Sequence, residues 1–252
     1  MNADLTKEGL GREGFVLYQN KDGFRFGTDS VLLAWFAASL TPRRSPVRIL
    51  ELGAGCGGAS MCLAARLQQM KIEYKMDLIE IDPESFEILN KNIEANGLSD
   101  RVTAYCCDVR QMPDDMRNTQ YDIVFANPPY YPAGSGETSP DARRNLARVA
   151  DDSTYDDFAK AAASRLIPSG GLYTVVIDAA FLGKMMASFK TAGINISRVL
   201  PVYPSQDKKA RLALIAGRRR GNEDTKVLPA LYLNDKDAMR RIYEEEHQDC
   251  FI

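Results

Sequence analysis

The chain has 252 residues, of which 32 are Lys or Arg and 34 are Asp or Glu, so the net charge is −2. This length, with a hydrophobic fraction of 45%, suits an α/β domain that buries its own core and excludes an intrinsically disordered chain. One histidine and five cysteines without a C-x-x-C pair argue against a metal site and against a Ser-His-Asp triad. No signal peptide is recognisable, and the longest apolar run, 31–40, is too short to span a bilayer. We therefore expect a cytoplasmic protein that binds neither metal nor membrane.

Strands and helices alternate along the chain. The pattern predicts strands over 47–52, 76–81, 102–106, 121–126 and 172–177, and helices over 59–70, from Pro83 to about 96, 155–167 and 181–192. Ser153 is the expected cap of the third of these helices. Two more strands, 198–202 and 211–216, are expected to form a hairpin, and 235–246 has the pattern of an amphipathic helix.

This alternation predicts an α/β fold of the Rossmann type, with a seven-stranded, mainly parallel sheet and helices on both faces. We expect one domain over 1–252. Its core is 47–220, with an N-terminal extension of 1–46 and a C-terminal extension of 221–252 that both pack on the core.

A glycine-rich turn, Glu51-Leu-Gly-Ala-Gly-Cys-Gly-Gly58, joins the first predicted core strand to a helix. It formally matches G-x-G-x-x-G, which would indicate a dinucleotide. The carboxylate of Glu51, however, repels a pyrophosphate and suits a positively charged ligand. S-adenosylmethionine, with its ammonium and sulfonium groups, is such a ligand, and we expect Glu51, Gly53 and Gly55 to bind it. The alternative is a tight turn without a ligand.

Acidic residues also follow the next two strands. An acid at the end of the second strand is where a ribose is held by its hydroxyls, so Glu80 and the adjacent Ile81 are expected in the cofactor site. Asp82, directly before Pro83, is better explained as a helix cap. Asp108, after the third strand, is expected to accept the amino group of an adenine, with a turn residue as the alternative.

The motif Asn127-Pro-Pro-Tyr130 follows the fourth strand, and ligands of open α/β sheets bind at this end of the strands. Asn127 and the Pro128 carbonyl can accept both N–H bonds of a planar amine and drive its nitrogen towards a nucleophilic state. Pro129 stiffens the loop, and Tyr130 can stack on the acceptor base. A polyproline-like turn is the structural alternative. We predict that these four residues are catalytic and that Asn127 also borders the cofactor.

These motifs give the chain a resemblance to a known family. It resembles the bacterial valine-tRNA adenine-N6 methyltransferases, class I S-adenosylmethionine-dependent methyltransferases with an NPPY motif. The resemblance covers nearly the whole chain and rests on the segment from Gly23 to Leu33, on ELGAGCG, LIEIDP and NPPYY, on the pair Ala147-Arg148, and on LYLND near the end.

The resemblance implies the class I methyltransferase fold, S-adenosylmethionine as cofactor and a tRNA substrate whose adenine next to the anticodon is methylated at N6. It also implies that Thr28 and Asp29 belong to the cofactor pocket, near its methionine end. Without it, Thr28 is expected to cap a helix over 29–38.

The near-zero net charge conceals an uneven distribution. Residues 222–252 hold eight acids and four bases, a net of −4, so that +2 remains on residues 1–221. Basic residues near a loop that holds an amine are suited to phosphate contacts. We expect two groups to contact RNA, with a solvated surface as the alternative: Arg143, Arg144 and Arg148, and, from the basic run 208–220, Lys208, Lys209 and Arg211.

Several other functions are compatible with parts of the sequence. An NPPY enzyme can methylate a protein glutamine amide, and a related NPP enzyme can methylate guanine N2. The formal G-x-G-x-x-G allows a nicotinamide dehydrogenase, and the basic groups allow a non-catalytic RNA-binding module.

Overall fold

The computed structural model describes residues 4–12, 14–21, 26–44, 46–116, 118–129, 131–132, 149–150, 153–221 and 224–244. It opens with an antiparallel hairpin of β1 (Leu5–Gly9) and β2 (Val16–Asn20), in which Lys7 pairs with Tyr18. Helix α1 (Thr28–Leu40) leads from this hairpin to the sheet.

The alternating part of the chain follows. Its elements are β3 (Val47–Leu52), α2 (Gly58–Gln69), β4 (Tyr74–Glu80), α3 (Pro83–Ala95), β5 (Val102–Cys106), a 3-10 turn (Asp114–Met116), β6 (Ile123–Ala126), β7 (Tyr131–Pro132), β8 (Val149–Ala150), α4 (Thr154–Arg165), β9 (Leu172–Asp178), a second 3-10 turn (Ala179–Phe181), α5 (Leu182–Thr191), β10 (Ile194–Tyr203), β11 (Leu212–Arg219), β12 (Lys226–Val227), β13 (Leu231–Tyr232) and α6 (Lys236–Tyr243).

The long strands form one sheet in the order β5-β4-β3-β6-β9-β11-β10. All of them run parallel except β11, which is antiparallel to both of its neighbours. The short strands β12 and β13 pair in parallel with β10 at the outer edge. The predicted seven-stranded, mainly parallel sheet is confirmed, and two short strands extend it.

The direction of β11 divides the basic run 208–220. We call the side of the sheet where the parallel strands end the carboxyl edge. Leu212, at the start of β11, pairs with Asp178 at the end of β9, whereas Arg218 pairs with Leu172 at the start of β9. Residues before Leu212 therefore lie at the carboxyl edge, and residues from Arg218 onward lie at the opposite edge.

Helices cover both faces of the sheet, as predicted. One apolar cluster joins the sheet to α1, α2, α3 and α6, and the other joins it to α4 and α5. The first cluster includes Leu10 and Leu17 from the N-terminal extension and Ala238 and Ile242 from the C-terminal extension. Both extensions thus bury apolar residues against the core. That 1–252 is a single domain stays a prediction.

Two asparagines of α3 attach the N-terminal hairpin. The Asn92 side chain accepts from the Tyr18 amide at 2.7 Å and donates to the Tyr18 carbonyl at 2.8 Å. Asn96 makes the same pair of bonds with Val16, both at 2.8 Å. Each amide side chain replaces a neighbouring strand and satisfies backbone groups that would otherwise be left unpaired.

The helix ends agree with the sequence in part. Asp82 caps α3, because its carboxylate accepts from the Ser85 amide at 2.8 Å. Ser153 occupies the N-cap position of α4, but its side chain makes no capping hydrogen bond; its hydroxyl donates to the Asp157 carboxylate at 3.3 Å. The expectation that Thr28 caps α1 is wrong: Gly27 is the N-cap, and Thr28 is the first helical residue. Asp235, predicted as the first residue of the last helix, is instead its cap. No helix in the described ranges is long and apolar enough to cross a membrane.

Candidate active site

The sheet register brings the predicted site residues together at the carboxyl edge. Leu52 at the end of β3 pairs with Ile79 in β4 on one side and with Ala126 in β6 on the other. Because parallel strands end at one edge, the next residues of these strands, Gly53, Glu80 and Asn127, lie in neighbouring positions. Glu80 pairs in turn with Cys106 at the end of β5, two residues before Asp108.

The glycine turn has a left-handed backbone at three positions. Gly53, Gly55 and Gly57 have φ of 70°, 56° and 86°, values that side chains with a Cβ disfavour. The turn is tied to the end of β4, since the Ala54 amide donates to the Ile79 carbonyl at 2.8 Å. The glycine pattern therefore encodes a backbone shape as well as room for a ligand.

The glycines differ in what surrounds them. A Cβ on Gly57 would lie 2.6 Å from Leu89, and one on Gly53 would lie 3.2 Å from the Phe158 ring. A Cβ on Gly55 would meet nothing within 4 Å. The turn is thus packed against the protein on one side and open at Gly55. A backbone with this open side suits a ligand that approaches the peptide groups closely.

Glu51 lies under the turn, with only 2% of its surface exposed. It accepts a hydrogen bond from the Ser60 hydroxyl in the first turn of α2. Burial raises the pKa of Glu51 to about 8, although the Ser60 bond acts in the opposite direction. The carboxyl group is therefore largely protonated at neutral pH, and a cation bound beside it would favour its charged form. Ser60 is a residue that the sequence did not identify, since a serine inside a helix has no distinctive signal.

Glu80 braces the turn from the next strand. Its carboxylate accepts from the Gly55 amide at 2.6 Å and from the Asp82 amide at 2.8 Å. Burial raises its pKa, while these two bonds lower it. Ile81, the next residue, is 61% exposed. An exposed apolar side chain beside a bonded carboxylate fits a ligand that has a flat ring and a polar sugar.

Asp108 pairs with Arg110. The carboxylate accepts from the Arg110 amide at 2.8 Å and from its guanidinium at 2.6 Å, and these bonds lower the pKa of Asp108. The Gln111 amide donates to the Asp108 carbonyl at 2.9 Å. Asp108 thus has the contacts of the turn residue that was the alternative for this position. Its predicted contact with an adenine stays a prediction.

Asn127 is held from the start of α1. Its side-chain nitrogen donates to the Asp29 carboxylate at 3.4 Å, while the other Asp29 oxygen accepts from the Ser30 amide at 2.9 Å. The side-chain oxygen of Asn127 is therefore directed away from Asp29. Pro128 is buried and Pro129 half-buried. Tyr130, the fourth predicted catalytic residue, lies outside the described residues.

Tyr243 adds a contact from the far end of the chain. Its hydroxyl donates to the Thr28 hydroxyl at 3.2 Å, next to Asp29. The preceding carbonyl, of Ile242, accepts from the buried guanidinium groups of Arg12 and Arg66. The sequence placed Tyr243 only on the apolar side of a helix, so this link to Thr28 was not predicted.

The predicted RNA contacts are only partly described. Lys208, Lys209 and Arg211 are exposed at the carboxyl edge, the same edge as Asn127. Arg143, Arg144 and Arg148 lie outside the described residues. Among the residues that the structure describes, no three His, Cys, Asp or Glu side chains are grouped as metal ligands would be.

Comparisons with known proteins identify the family. The family model described as "Lysine methyltransferase" matches residues 28–138. A protein from Bacteroides fragilis strain YCH46, named tRNA1(Val) (adenine(37)-N6)-methyltransferase, is 32% identical over 205 residues, which cover 80% of each chain. A protein of the same name from Flavobacterium psychrophilum is 29% identical over 238 residues, 92% of this chain and 93% of that one.

Solved structures agree on the fold. A Listeria monocytogenes protein described as a class I S-adenosylmethionine-dependent methyltransferase has a TM-score of 0.63 at 15% identity, over 90% of this chain and 75% of that one. The M. jannaschii tRNA m1G37 methyltransferase has a TM-score of 0.59 at 15% identity, over 88% and 59%. At such identities the likeness concerns the fold alone, whereas the relatives at about 30% match over most of their length. The chain therefore belongs to the tRNA1(Val) (adenine(37)-N6)-methyltransferase family, on a class I methyltransferase fold.

Proposed function

We propose that this protein transfers a methyl group from S-adenosylmethionine to the exocyclic N6 amine of an adenine in tRNA, next to the anticodon of valine tRNA. The observation that carries the proposal is the position of Asn127, which follows β6 beside the glycine turn and is held by Asp29 at 3.4 Å. The names of the relatives, which specify adenine 37 of tRNA1(Val), support the choice of acceptor.

The described residues fit the cofactor. Gly53 and Gly55 would let it approach the backbone, and Glu51, Thr28 and Asp29 would hold its methionine end. Glu80 and Ile81 would hold the ribose and one face of the adenine, with Asp108 near the adenine amine. When bound, S-adenosylmethionine supplies a methyl group that its positive sulfur has already activated.

The electrostatics of the turn favour this cofactor over a dinucleotide. Glu51 and Glu80 are both buried beside the turn, and the charge of Glu80 contributes to the raised pKa of Glu51. Without a cation beside it Glu51 is largely protonated; a bound ammonium would favour its charged form, whereas a pyrophosphate would keep it neutral and gain no ion pair. Glu51 therefore counts against the dehydrogenase alternative, whereas Glu80, at the position that holds a ribose, fits either cofactor.

On the acceptor side, the residues act by hydrogen bonding. The Asn127 oxygen and the Pro128 carbonyl would accept the two N–H bonds of the adenine amine and favour a tetrahedral nitrogen. Asp29 would fix the orientation of the Asn127 amide, and Tyr130 would stack on the base. A strong general base is not required, because the nitrogen loses its proton after the methyl group has been transferred.

The wider RNA contact would use exposed cations. Lys208, Lys209 and Arg211 lie at the same edge as Asn127 and support phosphate binding there. Arg143, Arg144 and Arg148, which follow the NPPY motif in the chain, are proposed to contact the same RNA. A tRNA substrate implies a cytoplasmic enzyme, with 1–252 acting as one methyltransferase domain.

Mass spectrometry of nucleosides tests the proposal. The protein is incubated with S-adenosylmethionine carrying a deuterated methyl group and with unmodified valine tRNA transcript, and the digested RNA is analysed. We expect labelled N6-methyladenosine at position 37 and none in a transcript with guanine at that position. Labelled N2-methylguanosine would move the target to guanine. Label confined to added protein, at lysine or glutamine, would overturn an RNA substrate.

A further inference from the structure

Two tyrosines lie side by side at the outer end of the carboxyl edge. Tyr203 ends β10, Tyr232 ends β13, and the two residues are paired in the parallel register of these strands. Their ring centroids are 5.7 Å apart, with the ring planes inclined by 37°. Both side chains are half-buried, so each keeps part of its surface open to solvent. An aromatic pair at the rim of a sheet offers flat apolar area for a stacking partner.

Exposed cations follow Tyr203 along the chain. The segment 204–211, which we call the basic turn, connects β10 to β11 and carries Lys208, Lys209 and Arg211. It is closed by a bond from the Lys208 amide to the Ser205 carbonyl at 3.2 Å. Its one acid is Asp207, so the turn has a net charge of +2. A short segment with this balance attracts an anionic partner.

Asp235, the first acid after Tyr232 in the chain, caps a helix. The Asp235 carboxylate accepts from the amides of Asp237 and Ala238, at 3.1 and 3.0 Å, and caps α6. The positive end of that helix partly offsets its charge. Lys236 is exposed beside it.

The tyrosine pair lies within reach of the proposed catalytic loop. Three strand spacings separate β10, which carries Tyr203, from β6, along the sheet order β10-β11-β9-β6, and β13, which carries Tyr232, lies one spacing further out. At about 4.8 Å each, the spacings amount to roughly 14 Å for Tyr203 and roughly 19 Å for Tyr232. Stacked nucleotides rise about 3.4 Å along one strand, so about four to six of them span these distances. A nucleic-acid loop with one base at Asn127 can therefore reach the tyrosines with another.

We propose that Tyr203, Tyr232 and the basic turn form a second RNA-binding surface, on which an unpaired base near the target adenine stacks while the cations bind its flanking phosphates. The inference rests on the proposed function and specifies how the same substrate is held. Flat aromatic faces beside exposed cations are the features by which proteins bind single-stranded nucleic acid. Because stacking needs an unpaired base, this surface would favour a target adenine that lies in an unpaired loop.

Kinetics with leucine variants test the stacking. Tyr203→Leu and Tyr232→Leu remove the flat ring but keep apolar bulk, and each is expected to raise the KM for tRNA transcript by about fivefold or more. The matching phenylalanine variants keep the ring and should restore the KM. The Kd for S-adenosylmethionine should be unchanged in all four variants, because the tyrosines lie outside the cofactor site.

Salt dependence separates the charges from the rings. Lys208→Gln with Lys209→Gln should lower the slope of log affinity against log salt by about 0.7 for each phosphate of a single strand that the variant no longer neutralises. The leucine variants should leave that slope unchanged. Arg220→Gln with Lys226→Gln removes the same charge away from the carboxyl edge and serves as the control. Arg220 follows β11 at the opposite edge, Lys226 pairs with Arg198 midway along β10, and both are exposed.

A measurement on the unaltered protein guards against misfolded variants. Transcript carrying 4-thiouridine in the anticodon loop is cross-linked by ultraviolet light, and the modified peptides are sequenced. We expect label on Tyr203 or Tyr232. If the wild type methylates tRNA but the cross-links avoid both tyrosines and folded leucine variants keep the wild-type KM, this inference is overturned and the proposed function stands. If the wild type methylates no RNA, the proposed function fails first.

Discussion

The two halves of the carboxyl edge are built in different ways. Around the glycine turn, two carboxyl groups that are predicted to bind the cofactor are buried and hydrogen-bonded: Glu51 accepts from the Ser60 hydroxyl, and Glu80 from the amides of Gly55 and Asp82. At the outer half, beyond β9, Lys208 and Arg211 are exposed and the rings of Tyr203 and Tyr232 are half-buried. One half is fixed before any ligand arrives, and the other presents groups that can move.

This difference follows from what each half is proposed to bind. A small cofactor makes few contacts, so its groups are most effective when they are held in place beforehand. A nucleic acid is a large polyanion, and much of its affinity comes from cations that displace counterions from its phosphates. Exposed lysines achieve this without a fixed geometry. Asn127 lies at the boundary, since it borders the glycine turn and is held by Asp29 from α1.

Substitution of Asn127 is expected to have the largest effect, and to reduce methyl transfer while leaving cofactor binding nearly unchanged. Asn127→Ala removes the oxygen that would prepare the amine, and we expect kcat to fall by about 100- to 1000-fold, as when an oxyanion hole is deprived of one donor. The Kd for S-adenosylmethionine, measured by calorimetry, should change by less than about threefold. Asn90→Ala, on an exposed position of α3, is the control. Normal turnover in Asn127→Ala would remove Asn127 from the mechanism.

A methyl group on the glycine turn is expected to impair cofactor binding but not tRNA binding. Gly57 has a φ of 86°, and a Cβ there would lie 2.6 Å from Leu89. Gly57→Ala is expected to cost about 2–4 kcal/mol in the free energy of unfolding, partly from the strained backbone and partly from crowding. It should also weaken cofactor binding, while tRNA binding in filter assays changes little.

Gly97→Ala is a matched control for that substitution. Gly97 also has a left-handed φ, of 65°, but a Cβ there would meet nothing within 4 Å. We expect the free energy of unfolding to fall by about 1 kcal/mol because of the backbone alone, with normal cofactor affinity. Equal destabilisation of the two variants would mean that crowding against Leu89 contributes nothing.

The sequence predicted the glycine turn and the cap of α3 better than the contacts between distant elements, for a local reason. Glycines after a strand, Asp82 before a proline and the NPPY motif each specify their structure within a few residues. The contacts that were not predicted join distant parts of the chain. Asn92 reaches Tyr18 over 74 residues, and Tyr243 reaches Thr28 over 215. The hairpin β1–β2 was not predicted, because its pairing depends on α3 rather than on its own pattern.

The sheet itself was predicted from periodicity, but the position of the basic run was not. A run of cations over 208–220 reads as one patch in the sequence. The antiparallel direction of β11 places Arg211 and Arg218 at opposite edges. Only knowledge of the strand direction shows which cations share an edge with Asn127. Similarly, the error at Thr28 arose because Gly27, which has no side chain to signal a cap, occupies the capping position.

The pH dependence of stability tests whether burial keeps the carboxyl group of Glu51, under the glycine turn, protonated. The pKa of Glu51 is about 8 in the folded protein, against 4.5 for the ordinary group. Between these values the folded state binds more protons than the unfolded chain, so the stability contributed by protonated Glu51 is lost as the pH rises towards 8. Glu51→Gln cannot titrate, and its Tm should fall less than that of the wild type between pH 5 and about 8.

Two comparisons make that profile specific. Glu80 has a pKa raised by burial as well, so part of the wild-type slope should persist in Glu51→Gln. Glu87→Gln, at an exposed position of α3, should keep the whole slope. The measurement is thermal unfolding without cofactor at constant ionic strength. A wild-type slope in Glu51→Gln would show that this carboxyl group is ionised in the folded protein.

The substitution with the smallest expected effect tests whether the C-terminal helix α6 contributes to cofactor binding. Tyr243→Phe keeps the ring and removes only the hydroxyl that donates to Thr28 at 3.2 Å. Removal of one hydrogen bond should raise the KM for S-adenosylmethionine by roughly two- to tenfold, with kcat nearly unchanged. The KM for tRNA should stay constant, because α1 lies at the cofactor side. Tyr232→Phe, which keeps its stacking face, is the matched control for removal of a hydroxyl. If Tyr243→Phe lowers Tm but leaves the KM for S-adenosylmethionine unaltered, α6 stabilises the fold and does not contribute to cofactor binding through Thr28.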